Sequence, residues 1–313
     1  MLKTEDYRKL LRLTSPIISK LHPRLRFLLA KKLRNEGIRT LFDPNSIRSY
    51  ANIRDKSYFK IVKLKSGMLA SLDLNDIIGF RTALNGEWDT TSLEIVKKFP
   101  IKETLYLDIG ANIGLTSIPI ARLGYKTLGF EPNPHALSQL TKNLALNSPV
   151  LFFLFPFALG AGDENLEYVV LYSPVGNMGA TSIDLEWSPG IKSSNLVFAP
   201  IFSLEHVTSS LFSKDQLDNF KYLVIKLDVE GHEDQVIKGL GKTLKSKRPL
   251  VIFENNPPRL NEAENERFWS KFDDYNLFTY QNGSLKDFLP DKRNENVLAI
   301  PVELMERLLG STD

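Results

Sequence analysis

Residues 104–131 read TLYLDIGANIGLTSIPIARLGYKTLGFE and predict one complete structural unit. Alternating apolar residues lead to Asp108 and Gly110, where a short buried strand ends. The apolar residues after Gly114 recur at helical spacing, and Lys126–Phe130 reads as a second buried strand. Strand, glycine turn, helix and strand together form a βαβ unit, the building block of an α/β domain.

The strand ends of this unit predict a nucleoside-binding site. In α/β sheets, ligands bind beyond the carboxyl ends of the strands, where a glycine turn lets the backbone approach the ligand and a helix N-terminus offers unpaired N–H groups. Glu131 stands at the end of the second strand, where its carboxylate can accept hydrogen bonds from two ribose hydroxyls. The alternative is a turn that only connects strand and helix, but packing needs no acid at this position.

The spacing of the turn favours S-adenosylmethionine over a dinucleotide. The pattern is Asp108-x-Gly110-x-Asn112-x-Gly114, whereas dinucleotide-binding folds need G-x-G-x-x-G to hold a pyrophosphate. Asp108 can accept a hydrogen bond from a ligand ammonium group, and asparagine tolerates a left-handed backbone at position 112. The sequence therefore predicts the amino-acid end of S-adenosylmethionine at Asp108 and its ribose at Glu131.

Neighbouring residues complete the predicted cofactor site. Ala111 lies within the glycine turn, and Pro132 follows the predicted ribose-binding acid. Phe157 and Ala158 follow a third predicted strand, residues 151–155, in the place where the adenine would lie. An ordinary core role for Phe157 fits the sequence equally well.

Composition is that of an ordinary globular protein. The chain has 313 residues, of which 42% are hydrophobic and 25% charged, enough for one large α/β domain with an appendage or for two modest domains. The absence of cysteine excludes disulfides and cysteine-ligated zinc, and four histidines leave little for a metal cluster, so no metal is expected. No stretch reaches the length of a transmembrane helix, and the N-terminus lacks the apolar region of a secretory signal. We expect a cytoplasmic protein.

The basic residues concentrate in an N-terminal leader. Residues 1–40 hold eleven Lys and Arg against three Asp and Glu, a charge of +8 that leaves −5 for the rest of the chain. Within the leader, residues 25–34 (LRFLLAKKLR) are apolar on one side and basic on the other. They predict either a cap packed on the main domain or a peripheral contact with anionic lipid or another acidic partner. We expect the cap first and the anionic contact second.

Domain organisation follows from these changes in character. We predict a basic helical extension over residues 1–56 and a catalytic domain over residues 57–313. Residues 161–207 carry short alternating runs around a glycine-rich segment, which predicts an inserted β region or lid. The oligomeric state is not predicted by the sequence.

Three motifs carry a resemblance to a known family. They are DIGANIG at 108–114, GFEPNP at 129–134 and IKLDVEGHE at 225–233, with KGL soon after the last. Together they resemble the FkbM-type family of S-adenosylmethionine-dependent methyltransferases over about residues 85–300. The resemblance implies a Rossmann-like class I fold, with a mostly parallel seven-stranded sheet, helices on both faces and the last strand antiparallel. It also implies O-methylation of a hydroxyl on a saccharide or other secondary metabolite.

The resemblance also assigns residues by position. It places the cofactor loop at Asp108, Gly110, Asn112 and Gly114, the ribose-binding acid at Glu131, and the second signature at Asp228, Glu230 and Glu233. In this chain Ser203-Leu204-Glu205 stands before the fourth core strand, where the family often has Thr-Leu-Asp. The family does not require histidine at position 232.

The end of the fourth core strand, predicted over residues 221–229, is the candidate catalytic segment. An alcohol that accepts a methyl group must lose a proton to a base within hydrogen-bond reach. In an extended segment Asp228, Glu230 and His232 would share a face, which could place one of them at the acceptor. Alternatively, Asp228 caps the next helix and Glu230 pairs with Lys226. A metal held by the same three side chains is conceivable, but three ligands from one segment are weak evidence.

Two other classes of function remain as alternatives. Asn255-Asn256-Pro257-Pro258 superficially resembles the N-P-P-aromatic loop of nucleic-acid methyltransferases. Arg259 replaces the aromatic residue, however, and the domain body lacks the basic excess that nucleic-acid binding requires. We therefore expect a small-molecule or saccharide acceptor and no nucleic acid. A non-catalytic cofactor-binding module is the second alternative, against which the intact Asp108 and Glu131 argue.

Overall fold

The computed structural model describes most of the chain, in two compact units. The described residues are 4–33, 40–44, 57–161, 167–174, 177–183, 194–211, 219–254, 268–272, 274–281, 283–288 and 296–309. The first unit comprises Met1–Trp88, Ser173–Ala180 and Ile191–Asn195, and the second comprises Asp89–Tyr172, Thr181–Gly190 and Leu196–Asp313. The domain boundary expected at residue 56 falls at the edge of an undescribed stretch and stays a prediction.

Helices and strands follow one another in the order typical of an α/β protein. The described helices are α1 (Thr4–Ile18), α2 (Pro23–Lys32), α3 (Ile77–Asn85), α4 (Thr91–Val96), α5 (Ser117–Arg122), α6 (Pro134–Asn147), α7 (Leu204–Leu211), α8 (Glu233–Lys247) and α9 (Met305–Leu309). The described strands are β1 (Phe59–Lys63), β2 (Leu69–Asp73), β3 (Thr104–Ile109), β4 (Lys126–Phe130), β5 (Phe152–Phe155), β6 (Ala158–Leu159), β7 (Glu167–Pro174), β8 (Ser194–Phe202), β9 (Tyr222–Leu227), β10 (Leu250–Glu254), β11 (Tyr275–Gln281), β12 (Ser284–Asp287) and β13 (Asn296–Pro301).

The first unit contains α1, α2, α3 and the antiparallel hairpin of β1 and β2. The hairpin turns at Gly67, whose φ of 79° suits glycine. Asp76 begins α3, because its carboxylate accepts the N–H of Ile78 at 2.9 Å. Gly86 ends the helix with a φ of 78°. No described helix in either unit is long and apolar enough to cross a membrane.

The second unit is organised around a large, mostly parallel sheet. Among the described residues this sheet has eight strands, in the order β12-β11-β13-β10-β9-β3-β4-β5. The five strands from β10 to β5 are parallel, whereas β13 runs antiparallel to both β10 and β11. Every residue of β3 and β9 is buried, as expected for central strands covered on both faces.

Both faces of this sheet are covered by helices. Leu105 and Leu107 of β3 belong to a core that includes Val236 and Leu240 of α8. Tyr106 points to the other face, into a core that includes Ile95 of α4. Successive side chains of one strand therefore point into two hydrophobic layers, one on each face of the sheet. This arrangement confirms the Rossmann-like α/β class.

The number of strands differs from the prediction. Seven strands show the expected arrangement with the last one antiparallel, and β12 is an eighth strand that the sequence analysis missed. β11 and β12 pair antiparallel with Gln281 opposite Ser284, and the Asn-Gly pair between them in the sequence is the typical two-residue link of a hairpin. We missed β12 because its four residues, SLKD, carry too few apolar side chains to show a strand pattern.

A smaller sheet contains strands of the predicted insert. In the described part of the chain it has the order β6-β8-β7, with β6 and β8 parallel. β7 and β8 both lie within residues 161–207. The role of this region as a lid stays a prediction.

Candidate cofactor and acceptor site

The glycine turn after β3 lies directly against the loop after β9. A Cβ atom added to Gly110 would lie 1.9 Å from the backbone oxygen of Asp228, and the φ of Gly110 is 90°. The N–H of Asp228 in turn donates to the carbonyl of Ile109 at 3.0 Å. Only glycine fits position 110, so the predicted cofactor loop and the predicted catalytic loop are in contact.

Two more residues of the turn have left-handed backbone. Asn112 has a φ of 49° and Gly114 a φ of 83°, as expected for residue types that tolerate this region. A Cβ atom on Gly114 would lie 2.4 Å from a methyl carbon of Leu140 in α6. The side-chain oxygen of Asn112 is buried and has no hydrogen-bond partner among the described residues. The turn therefore presents a buried acceptor that awaits a donor.

Asp108 presents two further acceptors at the end of β3. It is 1% exposed, and its carboxylate oxygens make no hydrogen bond of normal length in the described part of the chain. Its salt-bridge partner is Lys226, whose Nζ lies 3.8 Å from Oδ1. Burial raises the pKa of Asp108 to about 6, although Lys226 and the hydroxyl of Ser117 oppose the shift. A donated hydrogen bond from a ligand cation would satisfy this carboxylate and favour its charged form.

Glu131 is fixed at the end of β4 by backbone donors. Its Oε2 accepts the N–H of Asn112 at 2.7 Å, and its Oε1 accepts the N–H of Asn133 at 2.8 Å. Each carboxylate oxygen keeps a second acceptor position, so the pair can still receive two ligand hydroxyls. Burial raises the pKa of Glu131 to about 7 against the effect of the two N–H groups. The carboxylate is therefore held in place before any ligand arrives.

Lys226 links the two predicted halves of the site. Its side chain is 8% exposed, and its Nζ lies 2.8 Å from Oδ2 of Asp228 as well as 3.8 Å from Asp108. Burial alone would lower the pKa of Lys226, but the two aspartates outweigh burial and raise it. The alternative ion pair between Lys226 and Glu230 is wrong, because Asp228 holds that place. Strand register explains the geometry, since Asp108 of β3 is paired with Lys226 of β9.

The loop from 228 to 233 is a tight turn, and the extended backbone expected there is wrong. Glu230 has a φ of 50° and Gly231 a φ of 95°. Glu233 holds the turn, because its Oε1 accepts the N–H groups of Val229 at 3.3 Å and Gly231 at 3.4 Å. Burial raises the pKa of Glu233 to about 7. Ser182 donates to the carbonyl oxygen of Glu230 at 2.7 Å.

This turn changes the expected relation of the three candidate catalytic residues. Asp228, Glu230 and His232 cannot share a face through strand alternation, because residues 230 and 231 have left-handed backbone. The proposed capping of α8 by Asp228 is also wrong, since His232 occupies the N-cap position. No three described His, Asp or Glu side chains lie close enough to hold a metal ion. The catalytic roles of these residues stay predictions.

His232 has an unpartnered ring nitrogen. Its Nε2 is buried and makes no hydrogen bond within the described residues. The ring lies beside Gly160, where a Cβ atom would be 3.0 Å from Nε2. Burial lowers the pKa of His232, with Asp234 opposing the shift. A neutral imidazole with a free nitrogen can accept a proton.

The remaining cofactor candidates lie around the same strand ends. Ala111 is buried, and its N–H donates to the carbonyl of Phe130 at 3.0 Å. Ala158 is buried in β6. Phe157 packs among three phenylalanines, with its ring centroid 4.9 Å from that of Phe202. This packing fits the core role that was the alternative for Phe157. Contact of Phe157, Ala158 and Pro132 with adenine or ribose stays a prediction.

Sequence reasoning missed the residues that tie the loops together. Asn133 is fully buried and caps α6 by accepting the N–H of His135 at 3.0 Å. Its Nδ2 donates to Oγ1 of Thr181 at 3.0 Å. Thr181 and Ser182 belong to the glycine-rich segment of the insert, whose composition gave no sign of this contact. The Asn133-Pro134 pair, by contrast, is a recognisable helix start, with Asn133 as the N-cap and Pro134 as the first residue of α6. Residues 255–259, with their nucleic-acid-like tetrapeptide, lie outside the described residues.

Comparison with known proteins finds similarity to other methyltransferases. The hexuronic acid methyltransferase AglP of Haloferax volcanii is 27% identical over 217 residues, which cover 66% of this chain and 82% of that protein. A structure of methyltransferase FkbM from Methylobacillus flagellatus is 13% identical with a TM-score of 0.41, and the match covers 88% of this chain and 58% of that one. Magnesium protoporphyrin IX methyltransferase from Synechocystis is 12% identical with a TM-score of 0.37, covering 68% and 77%. TM-scores this low add nothing to the assignment.

The family assignment rests on the sequence match. Residues 108–290, more than half of the chain, match the model of the methyltransferase FkbM domain. The match begins at Asp108 and includes the glycine turn, Glu131 and the loop after β9. This protein therefore belongs to the FkbM methyltransferase family.

Proposed function

We propose that this protein transfers the methyl group of S-adenosylmethionine to a hydroxyl oxygen of a saccharide. The observation that carries the proposal is the buried carboxylate of Asp108 beside the glycine turn and Glu131. Its oxygens make no hydrogen bond of normal length among the described residues, and its ion-pair partner Lys226 lies 3.8 Å away. Members of the family take their methyl group from S-adenosylmethionine. The relative named as a hexuronic acid methyltransferase supports a saccharide acceptor, with a uronic acid as the first choice.

The residues present fit the methyl donor. The orphaned oxygens of Asp108 suit the ammonium group of its amino-acid end, and the two free acceptor positions of Glu131 suit the hydroxyls of its ribose. Gly110 lets the turn pack directly on the backbone of Asp228, and the buried oxygen of Asn112 offers another acceptor. When bound, S-adenosylmethionine supplies a methyl group activated by its sulfonium.

The loop after β9 has the groups needed to handle the acceptor. The hydroxyl must be oriented in line with the methyl group and must lose its proton. Asp228, Glu230 and His232 are the candidate bases, and the close packing of Gly110 on the carbonyl of Asp228 sets this loop beside the cofactor turn. His232 brings a neutral, unpartnered Nε2. We assign the base to this group of three.

Methylation assays with a panel of saccharides test the proposal. The protein is incubated with isotopically methyl-labelled S-adenosylmethionine and with neutral sugars, uronic acids and their oligosaccharides, and labelled products are identified by mass spectrometry. Asp108→Asn is the matched negative control, because it keeps the size of the side chain. A labelled product stable to mild alkali is expected, since alkali cleaves a methyl ester but leaves a methyl ether intact.

Three results would contradict the proposal. An alkali-labile product would move the acceptor from a hydroxyl to the carboxylate of a uronic acid. Transfer to RNA or DNA in a parallel reaction, with none to saccharides, would establish the nucleic-acid alternative. Failure to bind S-adenosylmethionine in calorimetry would leave a non-catalytic module that keeps the fold without using this methyl donor. The cytoplasmic location and the absence of a nucleic-acid partner stay predictions.

A further inference from the structure

The outward face of α1 carries an exposed apolar stripe with a lysine at each end. Lys9, Leu13, Ile17 and Lys20 follow one another at spacings of four, four and three residues, so they lie along one side of the helix and its C-terminal turn. Leu13 is 66% exposed and Ile17 69% exposed. Side chains of this size leave a large apolar area in contact with water.

α2 repeats the same arrangement. Leu25, Leu28 and Leu29 are 44%, 42% and 37% exposed, and their spacing puts them on one side of the helix. Arg24, before the first of them, and Lys32, after the last, are exposed as well. Long basic side chains beside leucines can extend their charged ends away from the apolar surface they flank.

These exposed residues are not needed to pack the helices within the first unit. Leu11 and Ile18, on another side of α1, form a buried cluster with Leu41. Phe27 of α2 is 1% exposed and meets Phe80 of α3 edge to face at 6.2 Å. Both helices therefore already have a side buried within the first unit, and a second apolar side remains exposed.

Among residues 9–33, the charges on this surface have one sign; the two acids of α1, Glu5 and Asp6, lie in its first turn. Residues 9–33 contain no Asp or Glu. In this described stretch the exposed cations are Lys9, Arg12, Lys20, Arg24, Lys31 and Lys32. Their field reaches the neighbouring hairpin, because burial together with the charges of Lys31 and Arg24 lowers the pKa of Lys60. A partner for this face must supply negative charge and an apolar environment for the leucine side chains.

We infer that the outward faces of α1 and α2 bind the surface of an anionic lipid membrane. The cations contact lipid phosphates, and the exposed leucines enter the boundary between headgroups and acyl chains. α2 has ten residues, so it lies on the membrane instead of crossing it. Lipid is favoured over an acidic protein because the cations flank the leucines along each helix, an arrangement typical of helices at a membrane interface.

Vesicle sedimentation of the full chain tests this inference. Neutral phosphatidylcholine vesicles are compared with vesicles that also contain phosphatidylserine, at low and at high salt. The parent is expected to sediment with the anionic vesicles alone and to be released by salt. The charge variant is Arg24→Gln/Lys31→Gln/Lys32→Gln. Each cation near such a surface contributes about fivefold to binding, so the triple variant is expected to bind about 100-fold more weakly.

A matched control separates this site from total charge. Lys97→Gln/Lys102→Gln/Lys245→Gln removes three exposed cations of the second unit and is expected to bind within a few fold of the parent. Leu25→Ala/Leu29→Ala is expected to weaken binding with its thermal unfolding unchanged. Equal losses in the two charge variants, equal binding to neutral vesicles, or no sedimentation of the parent would each overturn the inference. The sedimentation results do not bear on methyl transfer, which the saccharide assay tests separately.

Discussion

Replacing Asp108 with asparagine is expected to stabilise the ligand-free protein and to weaken cofactor binding. The carboxyl is buried, and its pKa is raised from 3.8 to about 6, so ionising it in the folded protein is costly. A difference of about two units corresponds to about 3 kcal/mol of lost unfolding free energy near neutral pH. Asparagine has the same shape and no charge. Lys226 keeps Asp228 at 2.8 Å, so the variant leaves no buried lysine without a partner.

The sign of the pH dependence follows from the direction of this shift. Because the pKa of Asp108 is higher in the folded than in the unfolded protein, its carboxyl costs stability only as the pH rises from about 4 through about 6. The variant lacks this loss. Denaturant unfolding should therefore show the variant more stable by about 1 to 3 kcal/mol at about pH 8, allowing for the buried amide, and equal to the parent at about pH 4.

Calorimetry of the same two proteins measures the other half of the prediction. Losing a hydrogen bond to a charged group costs about 1.5 to 3 kcal/mol, so Kd for S-adenosylmethionine should rise about 10-fold to 150-fold. A variant that is less stable at high pH would show that Asp108 is a structural partner of Lys226. Unchanged affinity would show that the orphaned carboxylate does not hold the ligand ammonium.

Other substitutions test the neighbouring contacts. Glu131→Ala should weaken S-adenosylmethionine binding by about 1 to 3 kcal/mol in calorimetry, because it removes a charged acceptor; undiminished affinity would remove the ribose assignment. Ser182→Ala leaves the carbonyl of Glu230 without its donor and should lower the unfolding free energy by about 1 to 3 kcal/mol, with Ser182→Thr as the control that keeps the hydroxyl. Glu230→Gln and His232→Ala should keep cofactor affinity within a few fold while at least one lowers turnover by about 100-fold; parent rates in both would make this loop structural.

The cofactor half of the site was predictable because local sterics determine it. Gly110 and Gly114 have no room for a Cβ atom, and Asn112 has left-handed backbone, so the turn requires residue types that a reader of the sequence recognises. Asp108 and Glu131 stand at the ends of strands whose apolar pattern is continuous. Parallel strands of one sheet end at the same edge, so the two acids had to come close.

The partners of these residues were not predictable in the same way. Which carboxylate Lys226 contacts depends on the direction of its side chain. The strand register that pairs it with Asp108 exists only in the assembled sheet. Ser182 reaches Glu230 across 48 positions of sequence. Neither contact produces a periodic pattern in the sequence, because the fold brings its two residues together from distant positions in the chain. β12 was missed for a different reason, since its four residues carry no alternation.

The search for the base shows how one backbone turn changes a functional argument. The family does not require histidine at position 232, so the sequence placed Glu230 and Asp228 ahead of His232. Strand alternation put all three on one face, on the assumption that the loop is extended. Glu230 and Gly231 both have left-handed backbone, which costs free energy at Glu230 because it is not a glycine. The hydrogen bonds from the loop to Glu233, and the one from Ser182, hold the turn against that cost. Asp228 is meanwhile committed to Lys226. Within the described residues, His232 has a buried ring nitrogen that makes no hydrogen bond, which moves it from last in the sequence ranking to a full candidate.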